Sequence, residues 1–261
     1  MTKIAFNISV ISYLCASVAF FIFLVYRKAT LSNIANVLVG IGLVFHTLMI
    51  GLRSAETGHG PYTTSFEVAV FFSWVVVIGY SVTEWKYRIK DLGAFVIPVV
   101  FLSLFYSIFL SKDLPVQDSE AALWMTLHRA LSVLGYGAFT VAFAVGVMYL
   151  IQENQVKSKK LGIMYFRMPS LEMLDTLNDK IIAIGFPLFT LGFMTGSIWN
   201  IKMDLPFFSW SAMKTWPLVL VWLVYGAVFF GRLAIGMRGK KAAQGAIFGF
   251  ILVILTYLMH V

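Results

Sequence analysis

The chain has 261 residues, 60 % of them hydrophobic and only 12 % charged, about half the charged fraction usual in a soluble domain; that composition excludes a soluble globular protein and specifies an integral membrane protein. The formal net charge of +8 is explained by Lys and Arg flanking apolar segments, not by a nucleic-acid-binding surface. The single cysteine, Cys15, lies inside the first apolar run, which excludes an internal disulfide, a CxxC motif and thiol–disulfide chemistry.

Eight apolar stretches follow one another at approximately 4–26, 34–52, 65–84, 92–110, 123–151, 180–199, 216–235 and 243–260. Each is long enough to cross roughly 30 Å of hydrocarbon as a helix. The first is too long for a signal-peptide core and has no small-residue cleavage pattern after it, so it is expected to be a retained span. The expectation is an all-α, polytopic protein of eight transmembrane helices forming a single domain, 1–261. Arg27 and Lys28, then Lys86, Arg88 and Lys90, then Lys157, Lys159, Lys160 and Arg167, then Arg232, Arg238, Lys240 and Lys241 place thirteen cations on one side; Lys3, Arg53, Lys112, Lys202 and Lys214 place five on the other. Cytoplasmic loops accumulate Lys and Arg. With an even number of spans, this bias predicts that both termini face away from the cytoplasm.

Among the connections, 153–179 is the sizeable cytoplasmic one, and its Met164, Phe166, Leu171, Leu174 and Leu177 predict an amphipathic piece lying on the membrane surface. It has no Gly-rich phosphate cradle, so no ATP site is expected. Internal repeats are absent from the sequence, which argues against a transporter built from inverted halves. The membrane interior also lacks an acidic cluster for a proton relay.

Four of the seven tryptophans lie between Trp199 and Trp222, and the run from Trp199 to Trp216, with Phe207, Phe208 and Trp210, is the chain's aromatic centre. Two readings stand: an interfacial belt of indoles at headgroup level, or a platform for a flat apolar ligand. All four histidines fall in the outward half. His46 sits two-thirds of the way out along span 2, where it either hydrogen-bonds a neighbouring helix or faces a cavity. His59, in Gly58-His59-Gly60-Pro61, is either a solvated turn residue or a ligand. His128, beside Arg129 near the outer end of span 5, is either an interfacial anchor or an axial ligand for haem iron. His260 is penultimate and expected to fray. Glu67, at the start of span 3 near His59, is a partner for an imidazole N–H or a helix N-terminal acid.

Across most of its length the chain resembles the haem-handling cytochrome c assembly proteins of the CcsA, ResC and CcmC type. Gly58-His59-Gly60-Pro61-Tyr62-Thr63-Thr64-Ser65-Phe66-Glu67 is similar to that family's GHxP-x-SNxYES segment, and Leu127-His128 before Gly135-Tyr136 to the span with its outward-facing histidine. Asp175-Thr-Leu-Asn, Ile184-Gly-Phe-Pro-Leu-Phe-Thr-Leu-Gly and Gly196-Ser-Ile-Trp199 lead into the position of its tryptophan-rich signature. Trp216-Pro-Leu, Trp222-Leu-Val-Tyr225 and Arg232 to Gly236-Met-Arg-Gly-Lys-Lys follow it. The signature, approximately WGxYWxWDPKETW, is occupied here by Asp204-Leu-Pro-Phe-Phe-Ser-Trp210-Ser211-Ala-Met-Lys214-Thr-Trp216. Two of its tryptophans survive, its acidic residue is Ser211, and the histidine expected before Arg232 is Gly231.

The resemblance implies a protein of the bacterial inner membrane that binds haem b for delivery to apocytochrome c. The implied pocket lies outward, between the Trp199–Trp216 loop and spans 2 and 5. There Trp199, Trp210 and Trp216 would cover the porphyrin, His128 would be an axial ligand, and His46 a deeper one on an access path from the bilayer. His59 and Glu67 would complete the site, with Arg53 or Lys202 pairing the propionates. Implied partners are lipids, a second assembly protein and apocytochrome c. Ser211 and Gly231 keep open an alternative, a HemX-like regulator of tetrapyrrole synthesis acting with a synthesis enzyme.

Overall fold

Hydrocarbon offers a backbone N–H or C=O no partner, so an apolar run must close its hydrogen bonds within itself. The structure, a computed structural model, describes residues 1–112, 122–159, 168–204 and 212–260. Among these it contains helices and no strand: α1 (Thr2–Tyr26), α2 (Ala29–Thr57), α3 (Ser65–Tyr87), α4 (Gly93–Tyr106) with a 3-10 turn at Ser107–Phe109, α5 (Ala122–Lys157), α6 (Leu171–Lys202), α7 (Ala212–Ile235) and α8 (Lys240–His260). Six helices, α1, α2, α3, α5, α6 and α7, are long and apolar enough to cross a membrane, while Gly93–Phe109 is a shorter apolar helix and α8 runs for 21 residues. This is a multi-pass membrane protein.

Local chemistry sets the boundaries that matter for function. α2 ends at Gly58, whose φ of 73° is the left-handed conformation glycine adopts without a Cβ penalty. α3 begins with a reciprocal capping box: the Thr64 side chain accepts from the Glu67 amide, and the Glu67 carboxylate accepts from the Thr64 amide. Several Ser and Thr hydroxyls inside the spans bond to their own helix, as Ser9 does to Ala5, Ser17 to Tyr13 and Thr140 to Tyr136.

The chain divides into two compact units, Met1–Val116 and Gln117–Val261. In the first, α1 packs on α2 and α4, and α3 on α4 and α2, closing an up-and-down circuit of four helices. Its core holds the fully buried Tyr13, Phe20, Tyr80, Leu92 and Ile97; the Tyr80 hydroxyl donates to Asn36 Oδ1 at 2.8 Å, which lets a phenol sit among apolar helices. At the end where α1 stops and α4 starts, Arg27 is paired with the buried Asp91.

In the second unit, α5 packs on α6 and α8, and α7 on α8 and α6. Small residues bring α5 and α6 close: a Cβ at Gly135 would meet Phe189 Cβ at 2.7 Å, and one at Gly185 would meet Ala138 Cβ at 2.8 Å. Phe139 and Tyr225 stack with centroids 3.5 Å apart, and the Tyr225 hydroxyl donates to the Ala246 carbonyl at 3.0 Å. Asp175 ties three helices together by accepting from Arg232 Nη2 at 3.1 Å and from the Gly239 amide at 2.9 Å.

Two expectations change. Leu171, Leu174 and Leu177 do not belong to a separate surface piece. They lie in α6, continuous with the span, and Leu174 and Leu177 are buried in the core of the unit, because the hydrophobic stripe finds a packing partner there. Met164 and Phe166 lie outside the described residues. The Trp199–Trp216 stretch is helical at both ends: α6 runs on through Trp199 to Lys202, and α7 begins at Ala212, while 205–211 lie outside the described residues.

Candidate functional site

Each unit carries one imidazole arranged in the same chemical way. In the first unit it stands where α2 ends and α3 begins. His59 Nδ1 donates to the Gly60 carbonyl at 3.0 Å and lies 3.6 Å from Glu67 Oε2. Since a carbonyl only accepts, Nδ1 carries the proton and Nε2 the lone pair. That Nε2 is buried and has no hydrogen-bond partner among the described residues.

Glu67, 2 % exposed, is the hub of this end. It accepts from Arg53 Nε at 2.8 Å and from the amides of Thr63 and Thr64 at 3.3 and 3.2 Å. It therefore caps the helix and holds a cation, with the His59 imidazole beside it. The Arg53 guanidinium lies 5.4 Å from the Phe66 ring centroid and Lys112 Nζ 4.9 Å from the same centroid. The Phe66 amide donates to the Ser111 carbonyl at 3.1 Å, which ties the backbone before Lys112 to the start of α3.

In the second unit, His128 lies about two turns into α5. Its Nδ1 donates to the Gly192 carbonyl of α6 at 2.8 Å, so here too the lone pair belongs to Nε2. The same carbonyl accepts from Thr195 Oγ1 at 2.9 Å. Gly196, one turn after Gly192, leaves room for the ring, because a Cβ there would stand 2.5 Å from Nδ1. A backbone carbonyl on Nδ1 that fixes tautomer and orientation is how ligating histidines are commonly supported. The residues thus suit an axial ligand.

Trp199 lies on α6 three residues beyond Gly196 and so on the same face; it is half-buried. Trp216, on α7, is 54 % exposed. Trp210 and Ser211 lie outside the described residues, as does the side chain of His260. Lys202 closes α6 as an exposed cation. At Gly231, a Cβ would meet Met237 Cε at 2.7 Å, so Met237 fills the space a side chain would take.

His46 is placed differently from the other two. It is 1 % exposed within the first unit, between Tyr13 of α1, whose hydroxyl lies 3.4 Å from Nδ1, and the backbone of Val70 in α3. Gly42, one turn earlier, lets the Tyr13 ring approach: a Cβ there would lie 2.6 Å from Tyr13 Cε1. Its Nε2, like that of His59, is buried with no hydrogen-bond partner among the described residues. Among the described residues no three of His, Cys, Asp and Glu gather as metal ligands. The donor set suits one axial imidazole on a metal held by its own macrocycle better than capture of a bare ion.

Sequence reasoning named His128, His59, Glu67 and Arg53. It missed the Gly192–Gly196 cradle, whose signal was a pair of glycines at i, i+4 in an apolar span, and it missed Lys112, for which only the Phe66 contact speaks.

The family model described as cytochrome C assembly protein matches residues 62–260. A cytochrome c biogenesis protein CcsA of Guillardia theta is 25 % identical over 275 residues, covering 97 % of this chain and 90 % of that protein. Its namesake in Prochlorococcus marinus strain AS9601 is 27 % identical over 258 residues, covering 90 % and 83 %. That of Trieres chinensis is 24 % identical over 260 residues, covering 87 % and 83 %.

Proposed function

This chain belongs to the cytochrome c assembly protein family, and on that premise we propose that it handles haem b during cytochrome c biogenesis, binding it for transfer to apocytochrome c. The observation that carries the reading is the His128 Nδ1 bond to the Gly192 carbonyl over the bare Cα of Gly196, which presents Nε2 as a ligand nitrogen. Haem, when bound, supplies an iron with axial positions and two propionate carboxylates. His128 is the ligand in the second unit, with Trp199, Trp210 and Trp216 shielding the porphyrin faces and Lys202 pairing a propionate. His59 is the ligand in the first unit, oriented by Glu67 and Gly60. His46 holds α1 and α2 together through Tyr13. All eight helices cross the bacterial plasma membrane, with both termini and both imidazole ends outward, where a second assembly protein and apocytochrome c are the partners.

A second reading, a HemX-like regulator of tetrapyrrole synthesis, is favoured by one observation: at Gly231, where the resemblance calls for an in-membrane histidine, Met237 takes the space. Absorption spectra of purified protein test the first reading. His128→Ala is expected to lose Soret intensity or shift the band while remaining folded; an unchanged spectrum removes His128 as a ligand. In cells, loss of holocytochrome c with unchanged tetrapyrrole precursors supports delivery, and the converse supports regulation.

A further inference from the structure

Resting on the haem-handling reading, we infer that Lys112, and not Arg53, is the cation in the first unit that binds a carboxylate of the ligand seated against His59. On that reading the carboxylate is a haem propionate.

The inference begins with charge. Sequence position makes Arg53 the obvious anion partner, but its charge is already matched by Glu67 through a 2.8 Å contact. The Glu67 carboxylate is nearly fully buried and also caps α3. For Arg53 to turn to a ligand, Glu67 would be left as a buried, uncompensated anion, the costly outcome for such a pair. Lys112 differs among the described residues. It is exposed, and its ammonium is in no ion pair among the described residues; it rests over the Phe66 ring at 4.9 Å. An ammonium that stays in solvent is held only weakly by the ring beneath it, and a four-carbon stem lets it swing to a carboxylate.

Position supports the same assignment. His59 meets Glu67, and the preceding residue, Phe66, carries the Lys112 ammonium over its ring while its amide donates to the Ser111 carbonyl. The lone-pair nitrogen of His59, buried without a hydrogen-bond partner among the described residues, and an ammonium in no ion pair among them thus both belong to side chains that contact the first turn of α3. A ligand with a Lewis-acidic metal and a pendant carboxylate satisfies both.

The test is a titration of haem-stripped, full-length protein in detergent with haemin and with haemin dimethyl ester, whose carboxylates are blocked, followed at the Soret band. The wild type is expected to prefer haemin, and Lys112→Met to lose about tenfold in haemin affinity while its affinity for the ester is unchanged. Lys112→Arg should restore the preference. In a His59→Ala background, Lys112→Met should have no further effect, whereas Lys202→Met, on the other unit, should act equally in both backgrounds. Lys112 is an exposed residue, so unfolding curves of its variants should overlay the wild type. A haemin preference that survives Lys112→Met, or a loss that is additive with His59→Ala, overturns the assignment and leaves haem handling standing. A wild type that binds neither haemin nor its ester overturns both.

Discussion

The imidazole of His128 stands over the bare Cα of Gly196, so close that a Cβ built there would lie 2.5 Å from Nδ1. One turn earlier on α6, Gly192 brings its own backbone against Ser132 and offers its carbonyl to the same nitrogen. The backbone of α6 thereby orients a titratable ring on α5.

Gly196→Ala is therefore expected to push the ring off the Gly192 carbonyl. Overpacking of this kind costs about 1–3 kcal/mol, read as a lower unfolding temperature in detergent together with weaker haem binding. Gly40 is the control, since a Cβ there meets nothing within 4 Å. Gly40→Ala should be neutral or stabilising by about 0.5–1 kcal/mol. Equal behaviour of the two variants would show that the Gly196 contact does not position His128.

Glu67→Ala removes a buried carboxylate that holds Arg53 and caps α3. Breaking a buried pair from one side costs about 3–5 kcal/mol. Arg53 keeps 21 % of its side chain exposed, so about 2–3 kcal/mol is expected after solvent screening. Thr64→Ala, which loses only the cap, should cost about 1 kcal/mol. If chemical denaturation finds the two variants equally stable, the Arg53 pair contributes nothing.

Asp175 and Arg232 come from α6 and α7, and the same carboxylate holds the amide of Gly239 just before α8. A double-mutant cycle with Asp175→Ala and Arg232→Met is expected to show a coupling of about 1–3 kcal/mol. Hydrogen exchange of the Gly239 amide should accelerate in Asp175→Ala but not in Arg232→Met. Additive energies and unchanged exchange would mean that the three helices are held by apolar packing alone.

The proposed orientation is checked by reporter fusions. A reporter after Val261 should behave as external and one inserted at Lys159 as cytoplasmic. Swapped signals would put both imidazole ends on the cytoplasmic side and remove apocytochrome c as their partner.

What the sequence determined by itself is the set of helices and the residues with chemical capacity. Membrane insertion depends on the summed hydrophobicity of some twenty consecutive residues whose backbone bonds close locally, so each expected apolar segment overlaps one helix. Local chemistry was legible for the same reason at Gly58 and in the Thr64–Glu67 capping box, where partners lie within a turn of one another. Tertiary structure decided everything that depends on which helix faces meet. His128 finds its acceptor 64 residues away on α6, and His46 is enclosed by Tyr13 from α1, 33 residues away. Arg53 is taken by Glu67 across a turn, while Lys112 rests over the Phe66 ring and is in no ion pair among the described residues. The expected span 180–199 ends at Trp199, and α6 continues three residues beyond it to Lys202, while α7 begins four residues before the expected 216. Composition is additive along the chain and can be summed from the sequence; a lone pair's direction or a charge's partner is set by distances of a few ångströms between segments, and those exist only once the helices have packed.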